Sequence, residues 1–439
     1  MKFVFFSPMA TNSAIGRVTV LIVRALMAQG DSVVVVRTEH EQRLDKPAHA
    51  CDTELIDWTQ TVAVEAAISS ADALIYQIGN NYSFHCGGLH WLATHPGIVC
   101  LHDFMVTHLF SEWAEGRRAE AEAILADWYG EELAEAFYKA NTAESFIEMA
   151  TQSCPMTEWI CSMALAVVSH SHWGMARVAQ SCAGPLRVVP LPYDAPSCTS
   201  AMSLAASPPP QKSRVSILTV GHVNPNKRVD SVIRAIGSSA LLRDTVSYRL
   251  CGLIGPQVEQ SLSRLARDLG VHLVISGEAD DVALQQAMNE ADIACCLRWP
   301  SLEAASATTI EGLLYGKAVI VMDAAFYSEL PDDCVRKISP FNEVAELTEV
   351  LEELCGNAAT RQAMAHRGQV WAERTFSAPN YARELANLSV NAAAAQPVLS
   401  MVGTLVSTLH RWGASPALMM SDEIADALQL FQGHGQAAV

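Results

Sequence analysis

The sequence predicts an α/β fold with two doubly wound, Rossmann-like domains that face each other across a cleft. Three observations support this prediction. The chain has 439 residues, more than one ordinary hydrophobic core needs, and suits two domains of roughly 200 residues each. Strand–helix–strand patterns occur in both halves, and their strands are apolar throughout, as in parallel sheets covered by helices on both faces. A segment rich in Ser, Ala and Pro separates the two halves.

The first forty residues give the pattern of the first domain. The run "KFVFFS" predicts a strand, "PMATNSAIG" a loop, "RVTVLIVRALMAQG" a helix that ends at glycine, and "DSVVVVR" a second strand. Apolar runs predict further strands within 72–79, 97–103, 164–172 and 186–192. We expect a mostly helical insertion at about 104–163. The first domain is therefore predicted to cover residues 1–193.

The second half repeats this order after a linker at 194–213. Strand, loop and helix signals resume at "VSILTVG" and continue to "AVIVMD", so the second domain is predicted to cover residues 214–372. Residues 373–395 are expected to form a helix that returns to the first domain. A helical tail is predicted at 396–439, in which "MMSDEIADALQLFQG" is amphipathic. The alanine-rich "NAAAAQP" before it is predicted to be a linker.

Composition excludes several classes of partner. The net charge of −18 argues against nucleic acid, which requires a basic surface, and against a polybasic membrane anchor. No uninterrupted apolar run reaches the ~18 residues that span a bilayer, so we expect at most peripheral membrane contact. The twelve cysteines are scattered and form no C-x-x-C pair, which indicates reduced thiols and a cytoplasmic protein.

The segment "SLEAASATTIEGLLYGKAVIV" (301–321) carries the first candidate site. Its helix is expected to begin after Ser306 as N-cap and to end at Gly316. A helix N-terminus at the cleft suits a pyrophosphate, because its backbone amides are unpaired donors; here these are the amides of Ala307, Thr308 and Thr309. Glu303 and Glu311 are expected on the cleft side, where a carboxylate can accept both hydroxyls of a ribose. The alternative is that both are ordinary solvated or capping acids.

The loop "TVGHVNPNKR" carries the second candidate site. It places Gly221, Lys227 and Arg228 between a buried strand and a helix. A lysine in such a loop suits a diphosphate leaving group as a point charge. The alternative is a surface lysine.

These motifs together resemble the donor-binding domain of the retaining glycosyltransferases of the GT-B fold, in the large family four class often called group one. "VGHVNPNKRVDSVIRAI" is similar to the family's G-R-x-x-x-x-K loop, and "EAASATTIE" is similar to its pair of glutamates. "GKAVIVMDAAFYSEL" is similar to the family's later strand and the loop that ends in a glutamate, here Glu329. The resemblance covers residues 215 to about 340. In the first domain, "GIVCLHDF" resembles the strand whose terminal histidine touches the donor sugar, and Gly16 stands in the first glycine-containing loop.

The resemblance implies a role for each matching residue. Lys227 would neutralise the diphosphate, Glu311 would hold the ribose and Glu303 would bind the transferred sugar. His102 would contact the same sugar, and Gly16, Gly221, residues 306–309 and Glu329 would complete the donor pocket. The sequence departs from the family at His222, where an arginine is usual, so that one phosphate cation is either missing or supplied by Arg228. It departs again at Ser306, Ala324 and Ala325, which replace glycines.

The implied reaction is sugar transfer from a nucleotide-diphosphate sugar, such as a UDP- or GDP-sugar, with retention of anomeric configuration. It needs no cofactor, and the sequence predicts no metal site. The acceptor would be a glycan, a lipid-linked glycan or a small molecule, in polysaccharide or glycoconjugate biosynthesis. Asp103, Asn80 and Asn81 are expected on the acceptor side, and the sequence is compatible with a homodimer. Two alternatives are a nucleotide-sugar epimerase of the same fold and a catalytically silent relative that binds a nucleotide sugar.

Overall fold

The chain forms two parallel β-sheets with helices packed on both faces of each. The computed structural model describes residues 1–139, 142–194, 214–278 and 281–413. The strands of the described residues are β1 Lys2–Ser7, β2 Ser32–Arg37, β3 Glu54–Asp57, β4 Ala73–Ile78, β5 Ile98–Leu101, β6 Ala166–Ser169, β7 Leu186–Val188, β8 Val215–Val220, β9 Val246–Cys251, β10 Leu273–Ile275, β11 Ile293–Cys296, β12 Ala318–Met322 and β13 Val335–Ile338.

The helices of the first domain cover its sheet and form most of the segment between β5 and β6. They are α1 Ala14–Ala28, α2 Glu41–Leu44, α3 Thr61–Ser69, α4 Tyr82–Leu92, α5 Thr107–Trp113, α6 Arg118–Tyr129, α7 Glu131–Phe137, α8 Ala143–Gln152, α9 Thr157–Ser162 and α10 Met175–Ser181. The remaining helices are α11 Val229–Ser238, α12 Ala240–Thr245, α13 Pro256–Asp268, α14 Asp281–Glu290, α15 Ala307–Leu314, α16 Glu343–Gly356, α17 Ala358–Thr375 and α18 Ala378–Arg411.

Both sheets are doubly wound. The first has the strand order β3-β2-β1-β4-β5-β6-β7 and the second has the order β10-β9-β8-β11-β12-β13. Strand β1 shows why these strands are apolar on both faces, since alternate side chains point to opposite sides of a sheet. Phe3 and Phe5 pack on the side of α1, whereas Val4 and Phe6 pack on the side of α4. The predicted fold class is confirmed.

The long helix α18 connects the second half of the chain back to the first domain. It packs against α1 through the buried side chains of Tyr381, Leu385, Leu388 and Ala392. The sequence prediction of a linker at "NAAAAQP" (391–397) is wrong, because α18 runs unbroken through it with Pro397 inside the helix. Alanine has the highest helix propensity, which explains why the run remains helical.

Two features of the described residues bear on the composition arguments. The helical region Ala358–Leu409 contains a stretch that is long and apolar enough to cross a membrane, by length and composition alone. The described cysteines are free thiols, and all of them except Cys51 and Cys355 are buried. The predicted amphipathic segment at 419–433 lies outside the described residues, as does nearly all of the linker predicted at 194–213.

Candidate functional site

The loops that follow β5 and β11 meet where the two sheets face each other. Three backbone hydrogen bonds join them, in which the amides of Ala304, Phe104 and Met105 donate to the carbonyls of His102 and Leu302 over 3.0–3.1 Å. Asp103 and Glu303 form an antiparallel bridge at this point. The backbone therefore holds the predicted sugar-binding histidine and the first predicted glutamate side by side.

The carboxylate of Glu303 is held by two neighbours. The hydroxyl of Tyr327, which is fully buried, donates a hydrogen bond to Oε1 of Glu303. The Nε atom of Arg298 lies 3.5 Å from the same oxygen. Burial, and to a lesser degree the charge of Glu303, raises the pKa of Asp103 to about 7. Asp103 therefore titrates near neutral pH beside a fixed carboxylate.

Lys227 lies beneath the same site and is only 5% exposed. Its ammonium donates a hydrogen bond to the carbonyl of Val220. Gly221 adopts a left-handed conformation with φ of +91°, and a Cβ there would lie 2.6 Å from Nζ of Lys227. Burial, and then the nearby charge of Arg298, lowers the pKa of Lys227 to about 7. Glycine at 221 is required both by the backbone conformation and by the close approach of the lysine.

Arg298 is the functional candidate that the sequence prediction missed. It follows strand β11 in "CCLRW", its side chain is 11% exposed, and NH1 donates to the carbonyl of Leu297 over 3.0 Å. Its charge is close enough to Lys227 to affect the pKa of that lysine. A polar residue directly after a buried strand that ends at the cleft was the available signal.

Arg228 is paired with an acid of the second domain. Its guanidinium forms an ion pair with Glu343, in which Nε lies 3.0 Å from Oε2, and the hydroxyl of Ser231 donates to the same carboxylate. Arg228 has a φ of +53°, which directs the chain differently from a regular helix start. The side chain of His222, which replaces the family arginine, is exposed. Among these three basic side chains, Arg298 is the one that faces Lys227 and Glu303.

The helix that follows Glu303 begins as expected, with one difference. Ser306 is the N-cap of α15, but its side chain caps no backbone amide and lies instead 3.3 Å from the hydroxyl of Thr308. The predicted N-cap at Ser306 is confirmed. The first-turn amides at Ala307, Thr308 and Thr309 receive no bond from the cap side chain, which is the condition for an anion site there.

Glu311 lies in a separate part of the interface between the domains. Its carboxylate is 7% exposed and its Oε1 is 3.8 Å from NH1 of Arg17, on α1 of the first domain. Both line a cavity of about 340 Å³ between α1, α14 and α15, together with Gln285 and Tyr315. Glu303 and Lys227 therefore belong to one group of side chains, whereas Glu311, on helix α15, belongs to another.

Glu329 joins the two domains. Its carboxylate accepts hydrogen bonds from the backbone amides of His172 (3.0 Å) and Trp173 (2.8 Å), which belong to the loop after β6. Both carboxylate oxygens are thus engaged by the first domain, and the donor-pocket role of the Glu329 loop stays a prediction.

His102 is neutral in this environment. Its Nε2 is 2.5 Å from Oε1 of Gln77, and its ring centroid is 4.9 Å from that of His170. Burial, and then the neighbouring imidazole of His170, holds the pKa of His102 well below its usual value. A neutral imidazole can exchange hydrogen bonds with a sugar hydroxyl without adding charge.

The predicted acceptor-side residues surround a cavity of about 290 Å³ in the first domain, which Asp103, Asn80 and Asn81 help to line. The side chains of the two asparagines have structural partners. Oδ1 of Asn80 accepts from the amides of His108 and Leu109, and Oδ1 of Asn81 accepts from the amide of Ser83 at the start of α4. Of the three, Asp103 is the one with a titratable side chain, and the negative charge of Glu303 contributes to its raised pKa.

Gly16 has a packing role instead of the expected donor contact. It lies in the first turn of α1, where a Cβ would be 2.6 Å from the carbonyl oxygen of Pro8 and 2.8 Å from the ring of His49. The first loop can close over α1 only because residue 16 has no side chain. Across the described residues, no group of three or more His, Cys, Asp or Glu side chains is placed to hold a metal ion.

The chain is similar to a known family and to several solved structures. Residues 204–371 match the family described as glycosyl transferases group 1. No curated protein matches the chain significantly. The structure is similar to sucrose-phosphate synthase from Thermosynechococcus elongatus (TM-score 0.61, 13% identity, 90% of this chain and 100% of that chain). It is also similar to HepE from Anabaena, solved in complex with UDP (TM-score 0.56, 16% identity, 88% and 99%).

A third similar structure is WaaG, a glycosyltransferase involved in lipopolysaccharide biosynthesis (TM-score 0.55, 17% identity, 87% of this chain and 98% of that chain). At these identities the likeness establishes the fold. The resemblance stated from the sequence is confirmed: the chain has the GT-B fold of these glycosyltransferases, and its second domain matches glycosyl transferases group 1.

Proposed function

We propose that the protein transfers a sugar from a nucleotide-diphosphate sugar to an acceptor hydroxyl, with retention of anomeric configuration. The observation that supports this most is the convergence of Lys227, Arg298 and Glu303 with His102 and Asp103 where the two sheets meet. The UDP and UDP-glucose complexes of HepE, which has the same fold, favour a nucleotide-sugar donor.

The diphosphate would bind between the two buried cations. The positive charges of Lys227 and Arg298 repel each other, and the negative carboxylate of Glu303 compensates for one of them. A diphosphate would supply the remaining negative charge in a site of low dielectric, where such pairing is strong. The free amides at the start of α15 would add donors to the same anion. This replaces the expected roles of His222 and Arg228.

The sugar would be held next to this anion. Glu303, oriented by the Tyr327 hydroxyl, would accept hydrogen bonds from sugar hydroxyls, and the neutral His102 would contact the same ring. Glu311 would bind the ribose after Arg17 moves from its carboxylate. Little free energy is lost on substrate binding when the side chains of the site are already held in the required geometry.

In the proposed reaction, the acceptor oxygen bonds to the anomeric carbon on the face from which the diphosphate leaves. The bond from that carbon to the diphosphate oxygen breaks, and the acceptor proton passes to a phosphate oxygen. Lys227 and Arg298 would stabilise the charge that develops on the leaving diphosphate. These cations perform the role that would otherwise require a metal, so we propose that the reaction needs no metal and no cofactor.

We further propose that the acceptor is a glycan, a lipid-linked glycan or a small molecule, and that it enters through the cavity beside Asp103. The process would be polysaccharide or glycoconjugate biosynthesis in the cytoplasm. The free thiols of the described residues are consistent with that compartment.

Two arginine substitutions test the diphosphate site. Arg298→Met should lower kcat/KM for transfer from the best donor in a panel of UDP-, GDP- and dTDP-sugars by about 100- to 1,000-fold, the usual loss of one preorganised transition-state contact. Arg228→Met is the matched control, because Arg228 is paired with Glu343 outside the site, and its kcat/KM should change by less than about threefold. Thermal unfolding of both variants confirms that they are folded.

The same assay separates the proposal from its alternatives. Acceptor-dependent release of nucleotide diphosphate supports transfer. Isomerisation of the sugar without an acceptor would indicate an epimerase, and nucleotide-sugar binding without turnover would indicate a silent relative. Equal loss of activity in both arginine variants would contradict the site.

A further inference from the structure

Helix α18 carries two apolar stripes, and only one of them has a partner within the described residues. At 100° per residue, Leu385, Leu388 and Ala392 share the face that packs against α1. A second stripe lies about 150° away around the helix. Its members, which we call the outer stripe, are Val390, Ala394, Val398, Met401 and Leu405, together with Trp412 directly after the end of the helix.

The outer stripe is exposed to solvent. The exposed fractions are 59% for Val390, 58% for Val398, 51% for Met401 and 78% for Trp412. These side chains fall within an arc of about 80°, so they form one continuous strip and not scattered surface residues. Contiguous exposed apolar surface of this kind marks an interaction site.

The chemistry of the helix narrows the choice of partner. No Asp, Glu, Lys or Arg occurs between residues 385 and 410. A helix that lies in a lipid surface usually carries Lys and Arg on its polar face, whereas this one carries Gln396, Ser400 and Ser407. The net charge of −18 also opposes binding to an anionic lipid surface. The apolar stripe of another protein helix needs no basic residues for pairing.

We propose that the outer stripe pairs with the same stripe of a second copy of this chain, as a two-fold symmetric dimer. Such an interface is self-complementary, because each copy presents the same apolar strip. The strip is about 33 Å long, and two helices paired along it would bury roughly 1,200 Å² in total, within the range of specific interfaces. Leu385, Leu388 and Ala392 already fix α18 on the first domain. Dimerisation would therefore immobilise few additional side chains.

The mass of the full-length chain in solution tests this proposal, measured by light scattering after gel filtration and by analytical ultracentrifugation. We expect a dimer at micromolar concentration. The double substitution Val398→Asp and Met401→Asp should weaken the dimer at least about 100-fold, because it would bury unpaired charges at the interface. The matched control is Ser400→Asp with Ser407→Asp, which adds the same charges to exposed positions off the stripe and should leave the dimer intact.

Other outcomes would overturn the proposal. A monomeric full-length chain at every concentration would exclude a second copy as the partner. If the chain 1–413 then dimerised, residues 414–439 would be assigned to the stripe instead. If the monomer floated with phosphatidylcholine–phosphatidylglycerol vesicles and the Val398→Asp and Met401→Asp variant did not, the partner would be a lipid surface.

Discussion

At the scale of single residues, the site depends on how Lys227 is buried. The left-handed Gly221 leaves space for the lysine, and Arg298 places a second positive charge near it. Burial and this neighbour together lower the pKa of Lys227 to about 7, so that the unliganded protein holds a lysine that is half protonated at neutral pH. An anion that binds there would favour the protonated form.

We therefore predict that UDP binding takes up protons. Below pH 7 Lys227 is already charged, and affinity should be nearly constant. As the pH rises through 7, the free protein loses this charge, so that UDP affinity should fall by up to about tenfold per pH unit until the pKa of the complex is reached. Calorimetry in buffers of different ionisation enthalpy measures the uptake. Lys227→Met should abolish it, and persistence of the uptake in that variant would contradict the assignment.

The sequence predicted part of this constellation. Lys227 and Glu303 could be found because each lies in a loop that follows an apolar strand, whereas His102 was expected from the family resemblance alone. Arg298 was missed because it directly adjoins the apolar run of β11. The ion pair of Arg228 with Glu343 could not be predicted, because it joins residues 115 positions apart, a contact that local patterns do not encode.

At the scale of elements, the first loop is held by a buried acid. Glu39 is fully buried, and its Oε1 accepts hydrogen bonds from the amides of Met9 (2.7 Å) and Ala10 (2.5 Å). NH2 of Arg37 lies 3.5 Å from the same oxygen. A single carboxylate thus positions the loop between β1 and α1, next to the cavity beside Asp103.

Glu39→Ala should lower the free energy of unfolding by roughly 2–4 kcal/mol, because it leaves two buried amides without their acceptor and removes the nearest carboxylate from the buried Arg37. Urea denaturation followed by circular dichroism measures the change. Glu41→Ala, which removes an exposed acid two residues later, should shift it by less than about 0.5 kcal/mol. Similar effects of the two substitutions would show that Glu39 does not hold the loop.

Elements differed in how well the sequence predicted them. The strands were found because apolar runs of four to six residues between turns have few other interpretations. Helix α18 was divided wrongly, because an alanine run followed by Pro397 has the composition of a linker. The high helix propensity of alanine keeps the run helical instead.

At the scale of the whole molecule, hydrogen bonds cross the cleft between the two domains. Glu329 accepts two amide hydrogen bonds from the first domain, and the loops after β5 and β11 share three more. These contacts cross the cleft that a donor would have to enter. Domain opening is therefore expected to precede binding.

Glu329→Ala should shift the population toward an open form. We expect a larger radius of gyration by small-angle X-ray scattering. We also expect a kcat/KM reduced by about tenfold, because closing the domains would then require more free energy. Asp332→Ala is the control, since its carboxylate pairs with Lys337 inside the second domain. An unchanged radius of gyration in the Glu329 variant would mean that the loop contacts alone keep the domains closed.

The return of α18 to the first domain also affects how the protein is made. During synthesis, the α1 surface that contains Ile22 and Leu26 leaves the ribosome more than 350 residues before Tyr381 and Leu385, which cover it. The nascent amino-terminal half thus carries an uncovered apolar groove throughout translation of the second half. A chain that stops after residue 194 should therefore aggregate or bind chaperones, and a separately supplied peptide spanning α18 should restore its solubility.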